Sequence, residues 1–290
     1  MIDDLIAHER LPDSYAGIVS DYWQPLADEI ARRAADRRPW VIGINGAQGS
    51  GKSTLCLFLE LLLKPRGLRA VSLSIDDLYL TRAEREQLAR EVHPLFATRG
   101  VPGTHSPALG MDVIEAVLAG HTFDLPRFDK AQDDRAAQGE RISGPVDVLL
   151  FEGWCVGAKP QDAAALAQPV NALEAEEDAD LVWRSVVNHW LKEDYARLFD
   201  QLDMLVMLKV EDFEAVRRNR SLQEEKLRAR HPDAPGLMDD AQLARFLAQY
   251  ERLTRHILEE MPARADYVFP IGPDQSPTSL PAGLGGAGKV

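Results

Sequence analysis

Residues 46–53 read Gly-Ala-Gln-Gly-Ser-Gly-Lys-Ser, and this octapeptide constrains the fold more than any other part of the chain. The pattern G-x-x-x-x-G-K-[ST] arises by chance in about one chain in a hundred of this length at average residue frequencies. Its chemistry demands a setting. The glycines let consecutive backbone N–H groups curl around phosphate oxygens, and the helix that follows adds the positive end of its dipole. A buried strand must therefore lead in and a helix must lead out. Both are present: residues 40–45, Trp-Val-Ile-Gly-Ile-Asn, are a short apolar run, and residues 53–63 are leucine-rich. The octapeptide reads as a P-loop. Gly46, Ala47, Gln48, Gly49, Ser50, Gly51, Lys52, Ser53 and Thr54 are the candidate ATP-binding residues. Lys52 is expected to reach the β- and γ-phosphates, and the Ser53 hydroxyl to meet Mg²⁺.

Strands and helices alternate along the rest of the chain. Apolar runs at 69–75, 146–151, 204–210 and 267–271 read as core strands. Helical spacing marks 14–36, 81–92, 111–119, most of 162–200, 217–230 and 239–260. Thr81, with Glu84 three residues on, has capping-box spacing. The pattern predicts an α/β fold with a doubly wound, mainly parallel sheet flanked by helices. One domain is expected over 1–271, with the helix at 14–36 packed on it. Residues 96–107 read as a loop, the polar stretch 131–138 as mobile, and the Gly-, Pro- and Ser-rich residues 272–290 as a disordered tail.

Charge narrows the partners. The chain carries 33 Lys and Arg against 46 Asp and Glu, a formal net charge of −13. That balance argues against nucleic acid or an anionic membrane as partner, and no apolar stretch approaches the ~18 residues of a membrane span. Two cysteines and an acidic N-terminus point to the cytoplasm. A small anionic substrate would need cations gathered locally. Three loops offer them: 99–105 with Arg99 and His105, 126–130 with Arg127 and Lys130, and the turn carrying Lys159. The helix at 217–230 adds Arg217, Arg218, Arg220 and Lys226. It reads either as a lid or as a solvated helix with i,i+4 pairs such as Arg220 and Glu224. A monomer or homodimer is expected.

Phosphoryl transfer to an alcohol needs a carboxylate that orients the hydroxyl and takes its proton. Asp76 and Asp77 close the strand at 69–75, on the edge where open α/β sheets bind ligands. The alternative for such a pair is a helix N-cap. Glu152 closes the strand at 146–151, placed to hold Mg²⁺ or to order the attacking group. Ser53, Asp76 and Glu152 are the candidate metal ligands. The guanine-reading N-K-x-D tetrapeptide is absent, as is the Asp-Glu strand end of motor ATPases. Trp154, Trp183 and Trp190 read as core residues, and Cys56 and Cys155 lack metal-ligand spacing.

The segments GAQGSGKS, SIDDLYL, RGVPGTH, PRFDK, LLFEGW with a following AKP, and a late arginine-containing helix with Gln-Glu-Glu-Lys together resemble the glycerate 3-kinase family. The likeness is to the plant and fungal type with its bacterial kinases, and it runs over 12–271. That family is related to phosphoribulokinase, uridine kinase and pantothenate kinase. The resemblance implies a P-loop kinase fold with a helical lid and ATP-dependent phosphorylation of the 3-hydroxyl of D-glycerate. It implies that Asp76 is the base and that Lys52, Glu152, Arg220 and Lys226 act around the transferring group. It also implies that Asp77, Tyr79, Arg99, His105, Arg127 and Lys130, with Lys159, face the acceptor. Pantothenate or a nucleoside as acceptor, and a non-catalytic ATP-binding regulator, are the alternatives. One departure stands out: Ser106 follows Gly-Thr-His where the family has Asp, which bears on acceptor hydrogen bonding or on a loop cap.

Overall fold

Five apolar runs become five parallel strands of a single sheet. They are β1 (Trp40–Gly46), β2 (Ala70–Ser74), β3 (Val148–Gly153), β4 (Met204–Lys209) and β5 (Tyr267–Pro270), in the spatial order β2-β3-β1-β4-β5. The computed structural model describes residues 1–35, 39–230 and 238–284, and the side chains of Lys226, Leu227 and Arg230 also lie outside the described residues. Parallel register sets Glu152 between Ile44 of β1 and Ser74 of β2. The connections leaving β1 and β3 run in opposite directions, which opens a crevice beyond the carboxyl ends of these neighbours. The expected doubly wound parallel sheet is thus the fold of the chain.

Period-two alternation divides the sheet between two cores. On one face Ile42, Ile44, Val148, Leu150, Val206 and Leu208 pack with helices α1 (Gln24–Ala34) and α2 (Lys52–Leu63). On the other, Val41, Leu149, Phe151, Leu205 and Met207 join residues of further helices. The elements around the site are α3 (Arg82–Glu91), α4 (Pro107–Leu118), α5 (Phe213–Arg230) and α6 (Asp240–Glu260). The Thr81/Glu84 capping box forms at the head of α3. Among the described residues no helix is long and apolar enough to cross a membrane.

Local detail departs from the sequence reading at several points. The helix expected over 14–36 is helical from Tyr15 but contains a π turn at Val19–Trp23. Pro25 has no N–H to give the carbonyl four residues back, which accounts for the break. Residues 131–138, expected to be mobile, include a short strand at Asp134–Arg135 paired with Phe128–Asp129. Asp133 in this stretch receives both Arg85 and Arg99. Past β5, the expected loose tail makes a turn between Gly272 and Ser276 and buries Leu284. Residues 285–290 lie outside the described ones.

Charge also holds α1 to the sheet edge. Glu29 binds Arg32 at 2.8 and 2.7 Å, Arg33 at 2.6 Å and the Tyr267 hydroxyl at 2.9 Å, and Arg33 reaches Asp266. The Arg32 hydrogen bonds, reinforced by Arg33 and Tyr267 against the cost of burial, pull the Glu29 carboxyl from its ordinary 4.5 down to about 2. A folded-state value below the unfolded one adds stability above pH 4.5 that is lost as the pH falls toward 2. Urea midpoints measured across that window should fall more steeply for the wild type than for Glu29→Gln.

Candidate active site

The P-loop turns on two glycines. Gly49 (φ 77°) and Gly51 (φ 90°) lie in the left-handed region, and Gly51 caps α2. A Cβ on Gly49 would stand 2.8 Å from the Asn219 side chain, so the loop packs directly on α5. Gln48, Gly49, Gly51, Lys52, Ser53 and Thr54 line a cavity of about 470 Å³ at the carboxyl edge of the sheet. Gly46, Ala47 and Ser50 are buried and form the loop's base rather than its lining.

Glu152 sits directly below the head of α2. The Ser53 hydroxyl donates to its Oε1 at 2.9 Å, and Lys52 Nζ stands 3.9 Å from its Oε2. Glu152 is only 6% exposed, yet Oε2 has no hydrogen-bond partner. A buried carboxylate oxygen left without a hydrogen bond beside a serine hydroxyl and a helix N-terminus is suited to a hard divalent cation. Mg²⁺ characteristically takes one or two protein ligands and fills its remaining positions with water and substrate phosphates. No group of three or more His, Cys, Asp or Glu able to hold a metal occurs among the described residues. Ser53 and Glu152 fit Mg²⁺. Asp76, the third candidate, is engaged by Tyr79 and Lys130 instead.

At the end of β2, Ser74 caps a short turn over Ile75–Leu78 and so fixes the two aspartates in divergent directions. Asp76 Oδ1 accepts from the Tyr79 hydroxyl at 3.0 Å, and its Oδ2 accepts from Lys130 Nζ at 2.7 Å. Burial acts to raise the Asp76 carboxyl, but Lys130 beside it, helped by Lys52, more than offsets this and holds it below its ordinary value. Asp77 faces away. It accepts from Arg127 at 3.0 Å and from the Phe128 backbone N–H at 3.1 Å, and burial pushes its carboxyl up. Asp77 and Arg127 thereby tie the 126–129 segment to the end of β2, and neither lines the cavity.

The other expected residues divide in the same way. Arg99, Lys130, Tyr79 and Arg220 join Asp76 around the cavity. His105 is buried behind Tyr79, its ring stacked on that of Tyr79 at 4.4 Å, and Nδ1 shares a 2.7 Å hydrogen bond with the Tyr195 hydroxyl. Burial pushes its pKa down to about 4, so the ring is neutral at pH 7. Lys159 lies apart, in a different cavity with Asp200 and Asp203 just ahead of β4. Of the lid cations, Arg217 pairs with Glu214 and Glu251, while the Lys226 side chain lies outside the described residues. Trp154, Gln223, Phe246 and Tyr250 also line the cavity. Trp154 is a core residue as expected, stacked edge-on to Tyr250 and donating to the Gly100 carbonyl, and one side of it faces the site. For the others, Phe246 and Tyr250 stand four residues apart on α6, a spacing that puts them on one helix face, whereas nothing in the sequence marks Gln223.

Every cation lining the cavity has a carboxylate of its own. The pairs are Lys52 with Glu152, Lys130 with Asp76, Arg99 with Asp133, and Arg220 with Glu224. The positive charge lining this cavity is thus already balanced within the chain, and an anion entering it would have to exchange with these partners.

Ser106 lies outside this cavity and caps α4, its hydroxyl accepting from the Leu109 N–H at 3.3 Å. Ser and Asp are equally good N-caps, so the departure at this position leaves the local structure intact. Ser106→Asp should change stability by less than ~0.5 kcal/mol, whereas Ser106→Ala should cost ~1 kcal/mol, read from urea midpoints.

Comparisons with known proteins agree with the geometry. No family model matches the chain. The Schizosaccharomyces pombe protein named "Uncharacterized kinase mug58" is 33% identical over 225 residues, 73% of this chain and 79% of that one. The chloroplastic D-glycerate 3-kinase of Arabidopsis thaliana is 32% identical over 228 residues, 74% of this chain and 47% of that one. The aligned region thus spans about half the length of the Arabidopsis relative. Among solved structures, D-glycerate 3-kinase from Cryptococcus neoformans superposes with a TM-score of 0.72 at 24% identity, covering 88% of this chain and 96% of that one. The YGR205w protein superposes with a TM-score of 0.67 at 25% identity, covering 86% and 91%. With the P-loop, the strand order and the carboxyl-edge site in place, these relatives show that the chain belongs to the family of P-loop kinases that includes D-glycerate 3-kinase and the mug58 kinase.

Proposed function

We propose that this kinase transfers the γ-phosphoryl group of ATP to the 3-hydroxyl of D-glycerate in the presence of Mg²⁺. The observation that carries this reading is one cavity that holds the P-loop at one end and Asp76 with Lys130 and Arg99 at the other. A nucleotide and a small carboxylate-bearing alcohol are the two ligands such a cavity accommodates best. A neutral nucleoside would offer Arg99 and Lys130 no anionic group to exchange with their present partners. In the forward reaction Asp76 orients the acceptor hydroxyl and takes its proton. Lys52 and Arg220, which line the same cavity, neutralise charge on the transferring group. Ser53 and Glu152 would hold Mg²⁺, whose chemistry is to screen the phosphate oxygens. Trp154 and Tyr250 give the same cavity an aromatic wall.

The direct experiment measures ADP release from MgATP with D-glycerate, L-glycerate, glycerol, pantothenate and uridine in parallel. D-Glycerate should give the highest kcat/KM. Turnover greatest with pantothenate or uridine would reassign the acceptor, and ATP binding with no acceptor-dependent turnover would favour a regulatory role.

A further inference from the structure

In the arrangement described above both oxygens of Asp76 already have a partner, and the solvent-facing one is covered by a cation. Its Oδ1 is held by Tyr79, and the ammonium of Lys130 covers its Oδ2 at 2.7 Å. The two side chains differ in how they are held. Lys130 is 63% exposed and Asp76 31%, so the lysine covers the carboxylate from the solvent side. Its backbone is fixed by the Phe128–Asp129 strand pairing and by Asp129, which accepts the N–H groups of Ala131 and Gln132. The side chain above that fixed point is a flexible four-carbon stem. An ion pair made by so exposed a lysine is weak and easily exchanged. Arg99, the other cation of this end, lines the same cavity and is paired with Asp133, three residues beyond Lys130.

We propose that Lys130 is a latch on the base, opened by the acceptor's own carboxylate. The incoming carboxylate draws Lys130 off Asp76 and places itself against Lys130 and Arg99, which frees Oδ2 for the acceptor's primary hydroxyl. The step then proceeds with its atoms accounted for. The acceptor oxygen bonds to the γ-phosphorus of ATP, the bond from that phosphorus to the bridging oxygen of ADP breaks, and the hydroxyl proton passes to Asp76. A neutral alcohol of the same size carries no charge to draw the lysine away and meets a covered base. Lys130 is thus a specificity-determining residue that acts on turnover as well as on binding. The kinase would select hydroxy acids over polyols because only the acid uncovers Asp76.

This inference rests on the reading that a hydroxy acid is phosphorylated through Asp76, and the test separates the two. Steady-state rates with MgATP are measured for D-glycerate and for glycerol, which keeps the primary alcohol and lacks the carboxylate, on wild type, Lys130→Met and Lys130→Arg. Loss of one charge-assisted contact should lower kcat/KM for D-glycerate about 10- to 100-fold in Lys130→Met, chiefly through KM. The same variant should raise kcat for glycerol about tenfold, because its base is uncovered. Lys130→Arg should keep the wild-type preference. Calorimetric ATP binding unchanged in Lys130→Met establishes that the variant is folded. A glycerol rate that falls in parallel with that of D-glycerate, or a D-glycerate KM that does not move, overturns the latch and leaves the acceptor assignment standing. A wild type without turnover on D-glycerate or any other hydroxy acid overturns both.

Discussion

Asp76→Asn is expected to lower kcat with the acceptor by about 10²- to 10⁴-fold, the range a positioned base contributes. The substitution is nearly isosteric. An asparagine oxygen can still accept from Tyr79, so the turn over Ile75–Leu78 and its Ser74 cap should persist. What disappears is the capacity to take a proton and the charge that holds Lys130. The affinity for ATP should therefore stay within about twofold. The acceptor KM should not rise, since Lys130 and Arg99 remain in the cavity with one competing carboxylate fewer. A fall in kcat with KM unchanged or lower identifies an interaction used in the chemical step rather than in binding. Asp77→Asn is the control. It loosens the anchor to Arg127 and Phe128, so it should reduce stability while changing kcat far less. The pH profile gives the sign independently: a base held below its ordinary value stays ionised further into acid. The acid limb of kcat/KM should accordingly lie below the ordinary carboxylate range.

How much of this was legible in the sequence depends on the distance over which each feature is decided. The P-loop, the two strand-end carboxylates Asp76 and Glu152, and the five apolar strands are local patterns, and their placement at one sheet edge follows from parallel topology. The cap on Ser106 and the Thr81 box are equally local. The contact between Asp76 and Lys130 joins residues 54 positions apart, through a small strand pair whose two-residue members have no periodicity to read. Residues 131–138 look mobile because they are polar, yet polarity here serves the charge pairing of Asp133 with Arg85 and Arg99. Lys159 shows the reverse error. It follows a strand that ends at the active edge, but the chain turns away after Cys155 and the lysine comes to rest near Asp200 and Asp203. Position along a strand locates the strand's end, and the path of the next ten residues is set by packing that no local pattern encodes.

The second large effect is expected at Glu152. Glu152→Gln should reduce kcat by about 10²- to 10³-fold, the cost of removing one preorganised electrostatic partner from a phosphoryl-transfer site. It should also raise the Mg²⁺ concentration needed for half-maximal rate. The geometry gives the reason. Oε1 already accepts from Ser53, while Oε2 is buried without a partner and 3.9 Å from Lys52. A glutamine can keep the Ser53 contact through its oxygen, but its amide then presents N–H groups where the unpaired oxygen stood. Those donors are repelled by a cation and by the Lys52 ammonium. Ser53→Ala removes the opposite half of the pair and should reproduce the Mg²⁺ dependence while leaving the Glu152 charge beside Lys52. Rates measured across a Mg²⁺ titration at saturating ATP distinguish the outcomes. Were Glu152→Gln to match wild type at every Mg²⁺ concentration, the carboxylate would serve only to hold Ser53, and its buried, unpartnered oxygen would be left without a chemical use.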